Sequence, residues 1–97
     1  MADRPLPDLI LYGRADCGLC DGARDLVTAL LADRRARGLP APALVERDID
    51  ADPDWQRAFF ATIPVIELGD RRIETVVSLA ALRSLLADAL DAEPSTA

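Results

Sequence analysis

The two cysteines are the feature that most constrains this chain. Cys17 and Cys20 are its only cysteines, and they stand three positions apart. An apolar run over residues 9–12 precedes them and ends at Gly13, which is typical of a buried strand. From residue 19 onward the apolar residues recur at helical spacing. The pair is therefore predicted to lie where a strand gives way to a helix.

This position gives the two thiols a distinctive chemistry. A thiol at a helix start faces unpaired backbone N–H groups and the positive end of the helix dipole, and its pKa falls from about 8.5 to between roughly 3.5 and 7.5. The spacing lets the second sulfur reach back over one turn and close a disulfide. Cys17 is therefore predicted to attack a disulfide and Cys20 to resolve the mixed disulfide. Two alternatives stay open: unreactive core thiols, or half of a zinc or iron–sulfur site shared by two chains.

Composition excludes several other kinds of function. All eleven basic residues are arginine, and histidine is absent, so no Ser-His-Asp triad, H-E-x-x-H zinc site or P-loop lysine is available. The net charge of −6 argues against a nucleic-acid partner. No apolar run approaches the roughly 20 residues of a membrane helix, and the first residues lead into no signal peptide. We expect a soluble, cytoplasmic protein.

Further elements follow from local patterns. A second strand opens at residues 43–45, about thirty residues after the first with a helix between them, which is the size of a parallel βαβ unit. Asp52 followed by Pro53 predicts a helix start. Gly69 predicts the turn of a β-hairpin, and Ser78 caps the last helix.

These elements together predict an α/β fold in the order β-α-β-α-β-β-α, with a four-stranded mixed sheet and three helices. The chain is expected to form a single domain over residues 1–97, with an ordered core at about 8–91 and irregular ends. Trp55 and Phe59 are expected to anchor the core from the second helix. The apolar residues of the first helix are expected to share one face: Leu19, Ala23, Leu26, Val27, Leu30 and Leu31.

The chain resembles the thioredoxin superfamily, and within it a glutaredoxin-like branch that includes small bacterial proteins of unassigned role. Three stretches carry the resemblance: residues 11–20 with the C-x-x-C pair, residues 47–53, and residues 62–65. The resemblance covers most of the chain. It implies a thioredoxin-like fold and a disulfide oxidoreductase whose catalytic residues are Cys17 and Cys20.

The resemblance also implies a substrate site. Pro64 corresponds to a proline that is cis in these families and lies beside the cysteines. Ile63, preceding it, would offer backbone hydrogen bonds to a substrate chain, with Thr62 next to it. Arg14 takes the place of a lysine that glutaredoxins carry three positions before the first cysteine. No metal site is implied.

The chain departs from the family pattern at three places. Gly18-Leu19 stands between the cysteines, where thioredoxins have Gly-Pro and glutaredoxins commonly have Pro-Tyr. Asp16 precedes Cys17, and its carboxylate opposes formation of the thiolate, whereas Arg14 favours it. Residues 74–77 lack the Gly-Gly-x-Asp segment with which glutaredoxins hold glutathione, so half of that site is missing. We therefore expect no cofactor beyond the redox-active disulfide, and glutathione remains an open possibility.

The expected partners follow from this chemistry. They are a protein or small-molecule disulfide as substrate, and glutathione or a reductase as electron donor to a monomer. Two alternatives of other classes remain. The same fold could dock a partner through the Pro64 groove with unreactive cysteines, or a dimer could carry zinc or an iron–sulfur cluster.

Overall fold

Strands and helices follow one another in the order that the sequence pattern predicts. A computed structural model describes residues 6–91, so the predicted irregular ends lie largely outside the described residues. The elements are β1 (Leu9–Gly13), α1 (Gly18–Ala36), β2 (Leu44–Asp48), α2 (Pro53–Phe59), β3 (Val65–Leu68), β4 (Arg71–Glu74) and α3 (Leu79–Leu86). A 3-10 turn (Ile49–Ala51) precedes α2, and a π-helical turn (Ala87–Asp91) follows α3. The predicted α/β, thioredoxin-like architecture is confirmed.

The sheet has the strand order β2-β1-β3-β4. β1 is parallel to β2 and antiparallel to β3, and β4 is antiparallel to β3, so the sheet is mixed. Because α1 connects two parallel strands, it begins at the edge of the sheet where both strands end. This arrangement places the start of α1, with its two cysteines, beside the last residues of β1 and β2.

The helix caps and the hairpin turn that the sequence predicts are present in the structure. The Asp52 carboxylate accepts a hydrogen bond from the Asp54 N–H at 2.8 Å, with Pro53 in the first turn of α2. The Ser78 hydroxyl accepts one from the Ala81 N–H at 3.0 Å. Gly69 has a φ of +62°, the left-handed conformation that the hairpin turn requires.

The two faces of the sheet are covered differently. On one face α1 and α3 bury a large aliphatic cluster, which includes Val27, Ile66 and Leu82. On the other face a smaller aromatic cluster forms around Tyr12, whose ring centroid lies 4.5 Å from that of Phe59 and 5.8 Å from that of Trp55. The predicted role as a core anchor is confirmed for Phe59, whereas Trp55 is partly buried and packs against this cluster. No helix among the described residues is both long enough and apolar enough to cross a membrane.

Leu19 is exposed although it shares its predicted helix face with buried residues. Its side chain is 66% exposed, whereas Ala23, Val27 and Leu31 on the same helix are buried. The first turn of α1 lies at the end of β1, where Cys20 packs against the strand. Hydrophobic periodicity shows which residues share a helix face, but burial also requires a neighbouring element along the whole of that face.

Candidate active site

Cys17 and Cys20 are joined by a disulfide across the first turn of α1, with their Cα atoms 5.2 Å apart. Cys17 is the N-cap residue of the helix. Its Sγ accepts a hydrogen bond from the Cys20 N–H at 3.1 Å, and its carbonyl accepts one from the Asp21 N–H at 3.0 Å. The Cys17 sulfur therefore takes the position in which a serine or aspartate usually caps a helix.

The two cysteines differ in exposure. Cys17 is partly exposed, whereas Cys20 is only 1% exposed. Gly13, the last residue of β1, makes this difference possible, since a Cβ added there would lie 3.1 Å from both Cβ and Sγ of Cys20. The glycine thus allows the second cysteine to pack closely against the strand, while the first remains at the surface.

Cys20 also lines a cavity of about 310 Å³ at the edge where β1 and β2 end. Its wall carries an ionic cluster centred on Arg24, which donates hydrogen bonds to Glu46 Oε1 at 2.5 Å and Asp21 Oδ1 at 3.0 Å. These hydrogen bonds, that with Glu46 foremost, raise the pKa of the Arg24 guanidinium above its usual value. The buried cysteine therefore borders a polar, charged space.

Arg14 also lines this cavity, and its guanidinium is already paired. Its Nε and Nη2 donate to the two carboxylate oxygens of Asp50 at 3.2 and 2.8 Å. The Gln56 side-chain amide donates to the same carboxylate at 3.2 Å. An anionic substrate would have to share Arg14 with Asp50. Because the Arg14–Asp50 ion pair is exposed, it contributes little to the stability of the fold.

The predicted substrate segment, residues 62–64, forms a loop between α2 and β3. The Ile63–Pro64 peptide bond is cis, and Pro64 is buried. The Ile63 N–H donates to the Phe59 carbonyl at 3.1 Å. Because that donor is engaged, the Ile63 carbonyl is the backbone group left for a substrate chain.

Thr75, which the sequence analysis did not single out, connects this loop to the segment after β4. Its N–H donates to the Thr62 and Pro64 carbonyls, both at 2.9 Å, and its hydroxyl donates to the Thr62 carbonyl at 3.2 Å. Its φ of +62° is unusual for a β-branched residue. Glutaredoxins have glycine in this segment, a residue that adopts such a conformation freely, and that difference was the available signal.

No group of three or more histidine, cysteine, aspartate or glutamate side chains among residues 6–91 is arranged to hold a metal ion.

Arg47, which lines the cavity beside Cys20, has one buried polar atom without a hydrogen bond. The Arg47 guanidinium lies 5.1 Å from the centre of the Trp55 ring, and its buried Nε has no hydrogen-bond partner within the described part of the chain.

Comparison with known proteins places this chain in a family. The model of a family described as "Glutaredoxin-like domain (DUF836)" matches residues 8–91. An X-ray structure of the structural-genomics target protein XcR50 from X. campestris is similar, with 32% identity, 84% of this chain and 97% of that chain covered, and a TM-score of 0.65. No curated protein matches the chain.

A more distant structure supports the fold alone. The solution NMR structure of protein Ne2328 from Nitrosomonas europaea shares 18% identity, covering 88% of this chain and 98% of that chain, with a TM-score of 0.58. The family match extends over most of the chain, from just before β1 to the end of the π-helical turn. The protein therefore belongs to the glutaredoxin-like domain family.

Proposed function

We propose that this protein is a thiol–disulfide oxidoreductase that uses Cys17 and Cys20 as its dithiol. The observation that carries the proposal is the asymmetry of the pair. One sulfur is accessible and caps a helix, while the other is covered but close enough to form a disulfide with the first. An attacking and a resolving thiol need this division of roles.

The exchange proceeds in two balanced steps. The Cys17 thiolate attacks one sulfur of a substrate disulfide, forms a mixed disulfide and releases the other substrate sulfur as a thiolate. Cys20, once deprotonated, then attacks Cys17 Sγ, which closes the intramolecular disulfide and releases the second substrate thiolate. Two electrons pass from the protein to the substrate, and the protons of the two cysteine thiols end on the released thiols.

The environment of Cys17 supports its role as the nucleophile. In the reduced protein, the Cys20 N–H that now lies 3.1 Å from Cys17 Sγ would stabilise a thiolate there, as would the positive end of α1. Cys20 lacks this advantage because it is buried inside the first turn. Its proton leaves through the polar cavity that Cys20 lines.

The proposed substrate is a protein or small-molecule disulfide, contacted by Arg14 and by residues 62–64. Glutathione or a disulfide reductase would return two electrons to the Cys17–Cys20 disulfide after each turnover. Such a cycle fits a monomer acting in the reducing cytoplasm.

The proposal is tested with the neutral disulfide 2,2′-dithiodipyridine and three reduced proteins: wild type, Cys20→Ser and Cys17→Ser. Wild type should release two equivalents of thiopyridone and retain no adduct, because Cys20 resolves the intermediate. Cys20→Ser should release one equivalent as fast as wild type and retain a mixed disulfide, detectable by mass. Cys17→Ser should react slowly.

Three results would count against the proposal. Equal reaction rates of the two variants would remove the attacker–resolver assignment, and slow reaction of wild type would indicate unreactive thiols. Stoichiometric zinc or iron in reduced protein that sediments as a dimer would favour the metal-carrier alternative.

A further inference from the structure

Cys20 must lose a proton before it can resolve a mixed disulfide, and its burial opposes this. Cys20 is 1% exposed and packs against Gly13 at the end of β1. Removing a thiol from water disfavours the charged thiolate. In the closing step the proton of Cys20 passes to water, the thiolate attacks Cys17 Sγ, and the substrate sulfur leaves as a thiolate. The charges near Cys20 therefore influence how readily the disulfide closes.

The cavity of about 310 Å³ that Cys20 lines is bordered by charged side chains from three segments. They belong to the loop after β1, the start of α1 and the end of β2: Arg14, Asp21, Arg24, Glu46, Arg47 and Asp48. Residues 62–64 add no charge. The one titratable side chain of β1, Tyr12, belongs to the aromatic cluster on the other face of the sheet. The balance of the six cavity charges therefore determines the electrostatic environment of the Cys20 sulfur.

Three of these groups, together with Asp50, contribute positive and negative charge in equal number. Arg14 is paired with the Asp50 carboxylate, as described above. The Asp48 carboxylate accepts a hydrogen bond from the Asp50 N–H at 2.8 Å, and its neighbour Arg47 lies against the ring of Trp55. These groups together leave no excess charge beside Cys20.

The remaining three groups are unequal, because Arg24 is a single cation between the carboxylates of Asp21 and Glu46. Arg24 follows Cys20 by four residues, so the two side chains are neighbours on the surface of α1. Glu46 pairs in register with Leu11, which packs in the cluster beneath α1, and it therefore lies on the face of the sheet that this helix covers. Without Arg24, two carboxylates would border the cavity unopposed.

We propose that Arg24 assists the resolving step by offsetting the negative charges of Asp21 and Glu46 beside Cys20. With the guanidinium in place the Cys20 thiolate forms more readily than it would beside two unopposed carboxylates. Arg24 acts through the sulfur of Cys20 and is thus a positioning residue. This inference rests on the proposed function, because it concerns the second step of the same exchange.

The closing step can be measured by stopped flow with the neutral disulfide 2,2′-dithiodipyridine. The reduced protein should release one thiopyridone when Cys17 attacks and a second when Cys20 closes the disulfide. The first release should become faster with reagent concentration, whereas the second should not, because closure is intramolecular. The rate of the second release is then followed over a range of pH, and its midpoint reports formation of the Cys20 thiolate.

Variants of the ion pair should move this midpoint in opposite directions. Arg24→Gln should raise it by about half a pH unit to one unit, and closure below the midpoint should slow about two- to fourfold. Glu46→Gln should lower the midpoint by a similar amount, because Arg24 then offsets Asp21 alone. The double variant should restore the wild-type value, and Arg24→Lys, which keeps the charge, should stay close to it. The first release should shift less, since Cys17 does not line the cavity.

The opposite signs distinguish this role from a structural one. Arg24→Gln and Glu46→Gln break the same ion pair, so a contribution to stability alone would change the free energy of unfolding in the same direction in both. Arg37→Gln is the matched control, because Arg37 pairs with Asp33 at 3.2 Å near the C-terminal end of α1. It should leave the midpoint of closure unchanged. High salt should reduce the shifts of the two test variants.

The outcomes separate this inference from the proposed function. If wild type gives both releases but the two single variants keep its midpoint, or shift it in the same direction, the inference fails and the redox proposal stands. Slower closure of Glu46→Gln at every pH would show that Glu46 accepts the proton, which would also overturn the inference. If wild type gives no second release, the proposed function itself fails. Either single variant carries the test alone if the other does not fold.

Discussion

At its C-terminal end α1 is held by a buried arginine, whereas its N-terminal end carries the cysteines and is left open. Arg34 is 8% exposed and donates to the Pro40 carbonyl at 2.6 Å and to the two carboxylate oxygens of Asp91 at 2.5 and 3.2 Å. These bonds tie the helix to the following loop and to the π-helical turn. At the other end, Cys17 is partly exposed and Leu19 largely so.

The difference shows how one helix serves two purposes. Polar groups that are satisfied inside the protein fix its C-terminal end. The N-terminal end then keeps Cys17 partly exposed without loss of the overall fold. Parts of a protein that bind and react are generally drawn from its less stable regions. We therefore expect substitutions at the two ends to affect different properties.

The largest effect on stability is expected from Arg34→Ala, at the C-terminal end of α1. It leaves the Pro40 carbonyl and the Asp91 carboxylate without their donor, so the free energy of unfolding should fall by about 2–3 kcal/mol. Urea denaturation of the oxidised protein measures this change. Arg35→Ala is the matched control, since Arg35 is exposed and has no ion pair among the described residues, and it should change stability by less than about 0.5 kcal/mol. Equal effects of the two variants would show that Arg34 does not hold the C-terminal end of α1.

Near the N-terminal end of α1, Gly13→Ala tests the close packing of Cys20 against the last residue of β1. The added Cβ would meet Cys20 Cβ and Sγ at 3.1 Å, and Cys20 is held by both the helix and the disulfide. We expect a loss of about 1–2 kcal/mol in the free energy of unfolding of the oxidised protein. Gly22→Ala, where a Cβ meets nothing within 4 Å, should instead raise it by about 0.5–1 kcal/mol, because alanine favours the helix. Changes of the same sign would contradict this account.

The smallest effect is expected at Thr75, which joins the loop of residues 62–64 to the segment after β4. Its φ of +62° costs an alanine more than a glycine, and both variants lose the hydroxyl bond to Thr62. Thr75→Gly should therefore be more stable than Thr75→Ala by about 1 kcal/mol in thermal or urea unfolding. At Ala58, in α2, alanine should be the more stable of the two residues by a similar amount. The same order at both positions would show that Thr75 does not adopt this conformation.

Features set by neighbouring residues could be predicted from the sequence. The carboxylate of Asp52 and the hydroxyl of Ser78 cap their helices through N–H groups two or three residues away, and Gly69 forms its turn within the hairpin. The position of the cysteines at a strand end and helix start follows from periodicity alone. These interactions do not depend on how distant parts of the chain come together.

The remaining features depend on contacts between distant segments. Arg34 forms an ion pair with Asp91, which lies 57 positions further along the chain. Arg14 forms one with Asp50, which lies 36 positions further along. The exposure of Leu19 depends on which element covers the first turn of α1, and the hydrogen bonds of Thr75 depend on where the loop of residues 62–64 lies. No local pattern encodes such partners, so the contacts that hold the C-terminal end of α1 and the exposure of its first turn are seen only in the folded protein.

The central claim is that Cys17 is the reactive sulfur and Cys20 the covered one. The most direct test is alkylation of the reduced protein with iodoacetamide near neutral pH, followed by peptide mapping by mass spectrometry. Because Cys17 is partly exposed at the helix cap and Cys20 is buried, Cys17 should be modified about tenfold faster or more. Equal rates at the two positions, or faster modification of Cys20, would contradict the account.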